Sequence, residues 1–536
     1  MPSSLTNPIL RGFSPDPSIC RVGDDFYVAT STFEWYPGVQ IYHSRDLRHW
    51  RLLHRPLSSE RLLNLEGRPD SCGVWAPCLT HSDDQFWLCY TDVRRFDGRF
   101  KDTHNYLITA PDIGGPWSDP IYLNSSGFDP SLFHDADGRK WVLNMVWDHR
   151  PDQDFFGGIV LQEYEPQAQR LRGERHSIFA GTELGLTEGP HLYRIGDEYH
   201  LITAEGGTGF DHAVTVARAP QLTGPYTPDP AGPLVTARDR PDWPLQRAGH
   251  GDMVQLKDGS YWLAYLATRR FDWSRHSPLG RETAIDPLVL NEAGWFELAS
   301  GDRLPSLNPP APDLPTQEFP APPARDDFDQ PELAQVYQWL RTPDPQSFYS
   351  LQDRPGYLRL YGAESPGSLY RQALIARRQT HESFVAETEL EFAPENFQQL
   401  AGLLLYYNAS KFHYLYVGFD QALGPHVGVM SCEADPSLAL KFPAYDERAA
   451  IPSGEPLGLR FEVDGPTARC FWRAGGEGAA PAWQSLPCAL DMRLLTDHAG
   501  MTWGEQFTGT FIGLAAHDVS GQRAVADFAY FSVTPR

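Results

Sequence analysis

The sequence predicts an all-β protein: a five-bladed β-propeller over residues 1–305, then a β-sandwich of jelly-roll, lectin-like type over residues 326–536. Three observations carry that prediction. The first is a repeat. Asp16, Trp75, Asp129, Glu188 and His250 each lead a similar stretch, at spacings of 59, 54, 59 and 62 residues. Eight positions after each lead comes a turn residue: Asp24, Asp83, Asp137, Gly196 and Asp258. Eleven positions after, four of the five copies place an aromatic (Tyr27, Phe86, Tyr199, Tyr261), and the third has Lys140 with Trp141 next. Self-similarity at a near-constant period marks a repeat architecture. The second observation is hairpin chemistry, since each Asp/Gly turn lies between two short apolar runs. The third is a change of pattern. Prolines crowd between Pro305 and Pro323, and beyond them strand-like alternation continues without the repeat.

The first unit opens on Gly12-Phe13-Ser14-Pro15-Asp16-Pro17-Ser18. Proline fixes its own φ and restricts the residue before it, so Asp16 is expected on a stiff extended loop. Strands are expected over 19–22, 26–30 and 39–43. Val74-Trp75-Ala76-Pro77 opens the second unit, Phe128-Asp129-Pro130-Ser131 the third, Thr187-Glu188-Gly189-Pro190 the fourth and Gly249-His250-Gly251-Asp252 the fifth. Third strands are expected over 106–109 and 213–216, and fourth strands near Trp50, Trp117 and Tyr226. Five such units make a five-bladed propeller. Pro8-Ile9-Leu10 is the candidate to close the ring against the last blade. Radial repetition puts the five leads at one end of the central axis. Three are acidic, and like charges gathered at a channel mouth are costly unless something uses them. Residues 306–325 read as an extended, semi-rigid linker crossing a domain surface. Alternating runs over 357–361, 384–392, 401–407, 413–417, 457–463 and 510–514 then suggest two packed sheets.

Composition narrows the partners. The formal charge is −24 and the pI about 5.1, which disfavours nucleic acid and anionic membranes. Seven cysteines, an odd number without a compact framework, suggest a reducing compartment, and none has partners at zinc spacing, so no metal ligands are assigned. Residues 1–6 show no basic or apolar signal region and no run reaches membrane-spanning length, so a soluble, cytoplasmic protein is expected.

The Pro-containing loops at Asp16, Asp129 and Glu188, with Trp75-Ala76-Pro77 and Gly280-Arg281-Glu282-Thr283, resemble glycoside hydrolase family 43. The stretch from Asn7-Pro8-Ile9-Leu10-Arg11-Gly12-Phe13 to Gly38-Val39-Gln40-Ile41 is similar to the β-xylosidases of that family, and the likeness extends into the sandwich. The resemblance implies an exo-acting, inverting enzyme that removes xylose from the non-reducing end of β-1,4-xylo-oligosaccharides. It makes Asp16 the general base and Glu188 the general acid. Inversion requires the two carboxyl groups roughly 6.5–9.5 Å apart, with a water between base and sugar. Blades one and four are not neighbours, which suits that gap. Asp129 is expected to orient Glu188 and to raise its pKa by like-charge repulsion.

Arg281, by the same resemblance, binds sugar hydroxyls, and its charge would favour ionised Asp16. His250 is expected at the axis, against the sugar, a water or a cation, or else as a satisfied structural histidine. Phe33 and Trp75 are candidate pocket walls. Trp147 and Thr208, just after the second strands of their blades, are weaker candidates. Phe507, in Gly504-Glu505-Gln506-Phe507, belongs to a sandwich loop that in the family reaches over the propeller and closes the pocket. The chemistry needs no cofactor. A structural calcium ion is compatible with Asp326, Asp327 and Asp527, although a solvated surface suits them better. Short xylo-oligosaccharides are the expected partners, and a homo-oligomer is compatible with the sequence. The alternative within the family is an α-L-arabinofuranosidase, or an enzyme with both activities. A retaining fructosyl hydrolase fits poorly, because Phe13-Ser14-Pro15-Asp16-Pro17-Ser18 departs from the Trp-Met-Asn-Asp-Pro-Asn-Gly motif of that group. A sugar-binding propeller without activity gains little from three grouped acids.

Overall fold

Tight Asp/Gly turns fold the first three hundred residues into five separate antiparallel sheets, as the repeat requires. The computed structural model describes residues 4–433, 440–441, 447–476, 482–499 and 506–536. Blade one runs Ser18–Val22, Asp25–Thr30, Gln40–Ser44 and Arg51–His54 from axis to rim. Blade two uses Cys78–Ser82, Gln85–Arg95, Asp102–Ala110 and Ile121–Asn124, with Gly73–Val74 as an extra pair on the second strand. Blade three uses Ser131–His134, Lys140–Trp147, Phe156–Glu165 and Arg170–Phe179. Blade four uses Glu188–Ile195, Glu198–Glu205, Ala213–Ala219 and Thr227–Pro228, and blade five Leu245–Gln255, Tyr261–Arg269, Glu282–Leu290 and Phe296–Leu298. The outer strands follow directly on Trp50 and Tyr226, but start four residues after Trp117.

The aromatic position of the repeat lies where neighbouring blades meet. The Tyr27 and Phe86 rings pack edge to face at 5.5 Å. The copy that breaks the pattern has its own physics. Lys140 is buried, donates to Asp83 Oδ2 at 2.5 Å, and lies over the Trp87 ring. An ion pair between blades two and three takes the place of the ring contact.

The segment before blade one closes the ring on the free edge of the Glu282–Leu290 strand. Leu10 N–H donates to the Thr283 carbonyl, Thr283 N–H donates back, and Ser14 N–H reaches the Arg281 carbonyl at 2.9 Å. Asn7 supports the same edge through its amide, which exchanges two bonds with Ile285. The proline-rich stretch lies along the propeller. Leu5 N–H donates to the Pro309 carbonyl and Gln317 N–H to Asp46.

Two sheets then pack face to face. One is built around Val525–Pro535, Phe384–Phe392, Leu457–Asp464 and Thr467–Ala474. The other is built around Ala373–Arg378, Phe511–Asp518, Gln399–Asn408, Lys411–Asp420 and Gly424–Glu433. Their inward positions are apolar and buried, from Leu358 and Phe461 to Leu403 and Leu514. Asp327 pairs with Arg325, Asp527 with Arg354 and Arg359, and Asp326 accepts the Phe328 N–H. Those acids are engaged locally.

The sandwich is docked on the propeller by chemistry of several kinds. Trp35 stacks on Phe511 at 3.6 Å and 12°. Trp35–Tyr36 pairs as a strand with Trp339–Leu340. Arg378 donates to the Phe13 carbonyl and to Gln40. A single apolar cluster contains Phe13, Phe33, Trp75 and Phe128 of the propeller and Leu404, Tyr406, Tyr414 and Phe511 of the sandwich.

Candidate active site

All five lead residues line one pocket of about 560 Å³ at the end of the propeller axis that the sandwich overhangs. Local backbone geometry aims them there. Asp16 has φ of +53°, so it does not lie on an extended loop as its flanking prolines suggested, and Asp129 has the same turn at φ +55°. Aspartate tolerates the left-handed region better than most residues. The turn points each carboxylate inward, and its hydrogen bonds offset the strain. His250 has φ +46° and lies inside a strand, between the pairs Gly249↔Leu266 and Gly251↔Tyr265. It is the extra residue of a β-bulge, a device that re-aims a side chain beside a site. A second irregularity, between the pairs Glu188↔Ala204 and His191↔Ile202, sits at Glu188.

The acids have different neighbours. Asp16 Oδ2 accepts from Ser31 Oγ at 2.6 Å, and Oδ1 accepts from Arg281 Nη1 at 3.0 Å. Asp129 Oδ2 accepts from the Gly189 N–H at 3.0 Å, next in the chain to Glu188. Burial first, and then the Asp16 charge, push the Asp129 carboxyl up to about 8 against the pull of that N–H and of Arg281. Burial and the nearby Asp16 charge thus disfavour the ionised form of Asp129. The orienting contact expected of it is present, through the backbone. Glu188 is buried at the start of its strand and faces the same pocket.

His250 is buried with Nδ1 3.9 Å from Asp16 Oδ1. Burial lowers its pKa to about 4, with Asp16 pulling the other way and His191 and Arg281 adding to the drop. It is neutral at ordinary pH and presents a dipole to the pocket. Its ring explains Gly189: a Cβ there would come within 3.0 Å of the imidazole, and φ is +56°.

The walls are aromatic and come from both domains. Phe507 lies 6.0 Å from Phe33 and 5.5 Å from Trp75, ring centre to ring centre. Its N–H donates to Ser71 Oγ, and its carbonyl accepts from Arg281 Nη2 at 3.2 Å. Gln506 lines the pocket beside it, while Gly504 and Glu505 lie outside the described residues. Arg281 thus spans both domains, holding Asp16 with one amino group and Phe507 with the other. Its buried Nε has no hydrogen-bond partner among the described residues. Trp147, the last residue of its strand, and Thr208 complete the set of expected residues at the pocket.

Several lining residues were not anticipated: Asp70, Phe96, Lys101, Phe128, Phe156 and Leu186. All but Phe156 lie in loops between strands, and Phe128 is the one a repeat-based reading could have found, being next to Asp129.

The comparisons with known proteins agree with this geometry. The family described as "Glycosyl hydrolases family 43" matches residues 5–296, and the "Beta xylosidase C-terminal Concanavalin A-like domain" matches residues 325–534. The chain is 47% identical to the xylosidase/arabinosidase 43B of Humicola insolens, over 99% of this chain and 98% of that one. It is 44% identical to a β-xylosidase of Bacillus subtilis (strain 168), over 98% and 99%. The crystal structure of a xylan β-1,4-xylosidase from Bacillus halodurans C-125 superposes with a TM-score of 0.95 at 45% identity, over 99% of this chain and all of that one. A ring of acids at the mouth of a five-bladed propeller, a sandwich that lends it an aromatic wall, and full-length kinship at this level have one reading: the chain is a glycosidase and belongs to glycosyl hydrolase family 43.

Proposed function

We propose that the protein is an exo-acting, inverting β-xylosidase that releases xylose from the non-reducing end of β-1,4-xylo-oligosaccharides. The observation that carries this is the Phe507 wall: the sandwich narrows the propeller pocket beside three carboxyl groups, which favours one terminal sugar over a threaded chain. Relatives named β-xylosidase support the same substrate.

In this reading Asp16, held by Ser31 and Arg281, takes a proton from water as the water attacks the anomeric carbon. Glu188 gives its proton to the leaving oxygen. Asp129, whose ionised form burial and Asp16 disfavour, holds the Glu188 backbone through Gly189. Arg281 Nε, a donor with no partner among the described residues, is available to a sugar hydroxyl.

A second reading has its own observation. One relative at 47% identity is named xylosidase/arabinosidase, so α-L-arabinofuranosidase activity at the same pocket is the alternative. A xylan 1,3-β-xylosidase of Vibrio, 40% identical, makes the linkage a further variable. A panel of nitrophenyl glycosides, followed by β-1,3- and β-1,4-xylobiose, separates these. Proton NMR in the first minutes of β-xyloside hydrolysis is expected to show α-xylose first. Early β-xylose would rule out inversion. From xylotetraose, xylose and xylotriose are the expected first products; early xylobiose would rule out exo action.

A further inference from the structure

The connection between Tyr261–Arg269 and Glu282–Leu290 in blade five carries His276. The segment after the 3-10 turn Met492–Leu495 of the sandwich carries Asp497 and His498. One ligand atom from each of the three can be chosen so that all lie within 4.8 Å of one another. Asp497 is 7% exposed. Its Oδ2 accepts from Arg247 Nη1, whereas its Oδ1 is buried without a hydrogen-bond partner among the described residues. Among the same residues His276 Nδ1 is likewise buried without one, and the two atoms face each other at 3.7 Å. That is too long for a hydrogen bond. It is close to the separation of two ligands on one tetrahedral ion, about 3.4 Å for bonds near 2.0–2.1 Å. The His498 ring lies 4.0 Å from that of His276 and is exposed, so it is free to turn and gives an ion a way in.

We propose that His276, Asp497 and His498 bind one divalent transition-metal ion of the zinc class and that this ion ties the propeller to the sandwich. Two imidazoles and one carboxylate oxygen are a donor set that zinc takes while keeping a fourth position for water. Arg247 fixes the carboxylate from behind, as outer-shell partners do. Arg275 and Lys411 stand nearby, Arg275 over the Phe210 ring and Lys411 on the Thr496 carbonyl. Neither donates to Asp497 Oδ1. The ion would sit five residues before Arg281 and nine before Phe507, bracing the two segments that meet at the pocket wall. The glycosidase reading is not needed for this site, whose test is binding.

The test uses the full chain, stripped with a chelator and titrated with zinc chloride against a chromogenic indicator. One equivalent is expected to bind. His276→Ala and His498→Ala should each weaken it by roughly 100-fold. Zinc should raise the Tm of the native chain and leave that of His498→Ala unchanged. Because His498 is exposed, that variant should fold, and equal Tm values without metal would show it. Cobalt(II) in place of zinc should give visible absorption bands that vanish in His498→Ala. Failure of the native chain to compete with the indicator would overturn the proposal. So would undiminished binding in both variants, which would put the ion elsewhere, such as near His250.

Discussion

Asp16, Asp129 and Glu188 share a pocket but not an environment, and the difference can be measured residue by residue. Glu188→Ala is expected to lose far more activity on xylobiose than on an aryl xyloside whose phenolate needs little protonation. General acid assistance is worth roughly 10²–10⁴-fold, and that factor should appear mainly with the poor leaving group. Asp16→Ala should fail on both. Equal substrate dependence in the two variants would reverse the assignment. Asp129 makes a separate prediction about stability. Its pKa rises from an ordinary 3.8 to about 8 on folding. Between those values the folded chain holds a proton that the unfolded chain has released, so this residue's contribution to stability falls as pH rises. Asp129→Asn has no proton to lose. Its Tm should gain on that of the native chain as pH moves from about 4 toward 8, while its activity falls. Thermal unfolding at about pH 5 and about pH 8 checks the sign, and a gap that fails to widen would contradict the buried, protonated state.

Elements explain which of these positions could be read in advance. The five leads were legible because a fixed period puts equivalent residues at one end of every blade, whatever the connections do. Lys140 broke the pattern for a reason the sequence does not display, the partner Asp83 waiting on the next blade. The backbone at Asp16 was misjudged because proline statistics describe the average loop. Here Ser31 and Arg281 overrule them. Asp70, Lys101 and Leu186 were invisible because loop side chains take their direction from tertiary contacts and follow no period. Phe507 was found through family resemblance, since nothing in its own stretch says that it crosses to another domain. Its loop now makes a prediction. At Gly280, φ is +71° and a Cβ would approach the Thr508 carbonyl at 2.8 Å, so the two domains touch closely here. Phe507→Ala should leave the fold intact and lower kcat/KM on xylobiose by roughly 10–200-fold, the usual worth of apolar contacts in a pocket. Gly280→Ala should lower the same quantity while leaving all the side chains of the site in place. An unchanged kcat/KM in both would mean that the wall does not touch the sugar.

At the scale of the whole molecule, the apolar cluster shared by propeller and sandwich makes the two domains one energetic unit. A chain cut near residue 320 would expose Phe13, Phe33 and Trp35, along with the large apolar patch around them. It is expected to be inactive on xylobiose and either insoluble or markedly less stable, as size-exclusion chromatography and thermal unfolding would show. A soluble, fully active propeller would separate catalysis from the sandwich. The closing strand adds a consequence in time. Val525–Pro535 lies inside its sheet, paired with Leu358–Tyr361 on one side and Phe384–Phe392 on the other. A ribosome delivers residues in order, so the acids of the first blades emerge long before that strand. A nascent chain therefore carries its reactive groups for most of its synthesis without the fold that shapes them. The enzyme would switch on only once that strand has taken its place in the sheet.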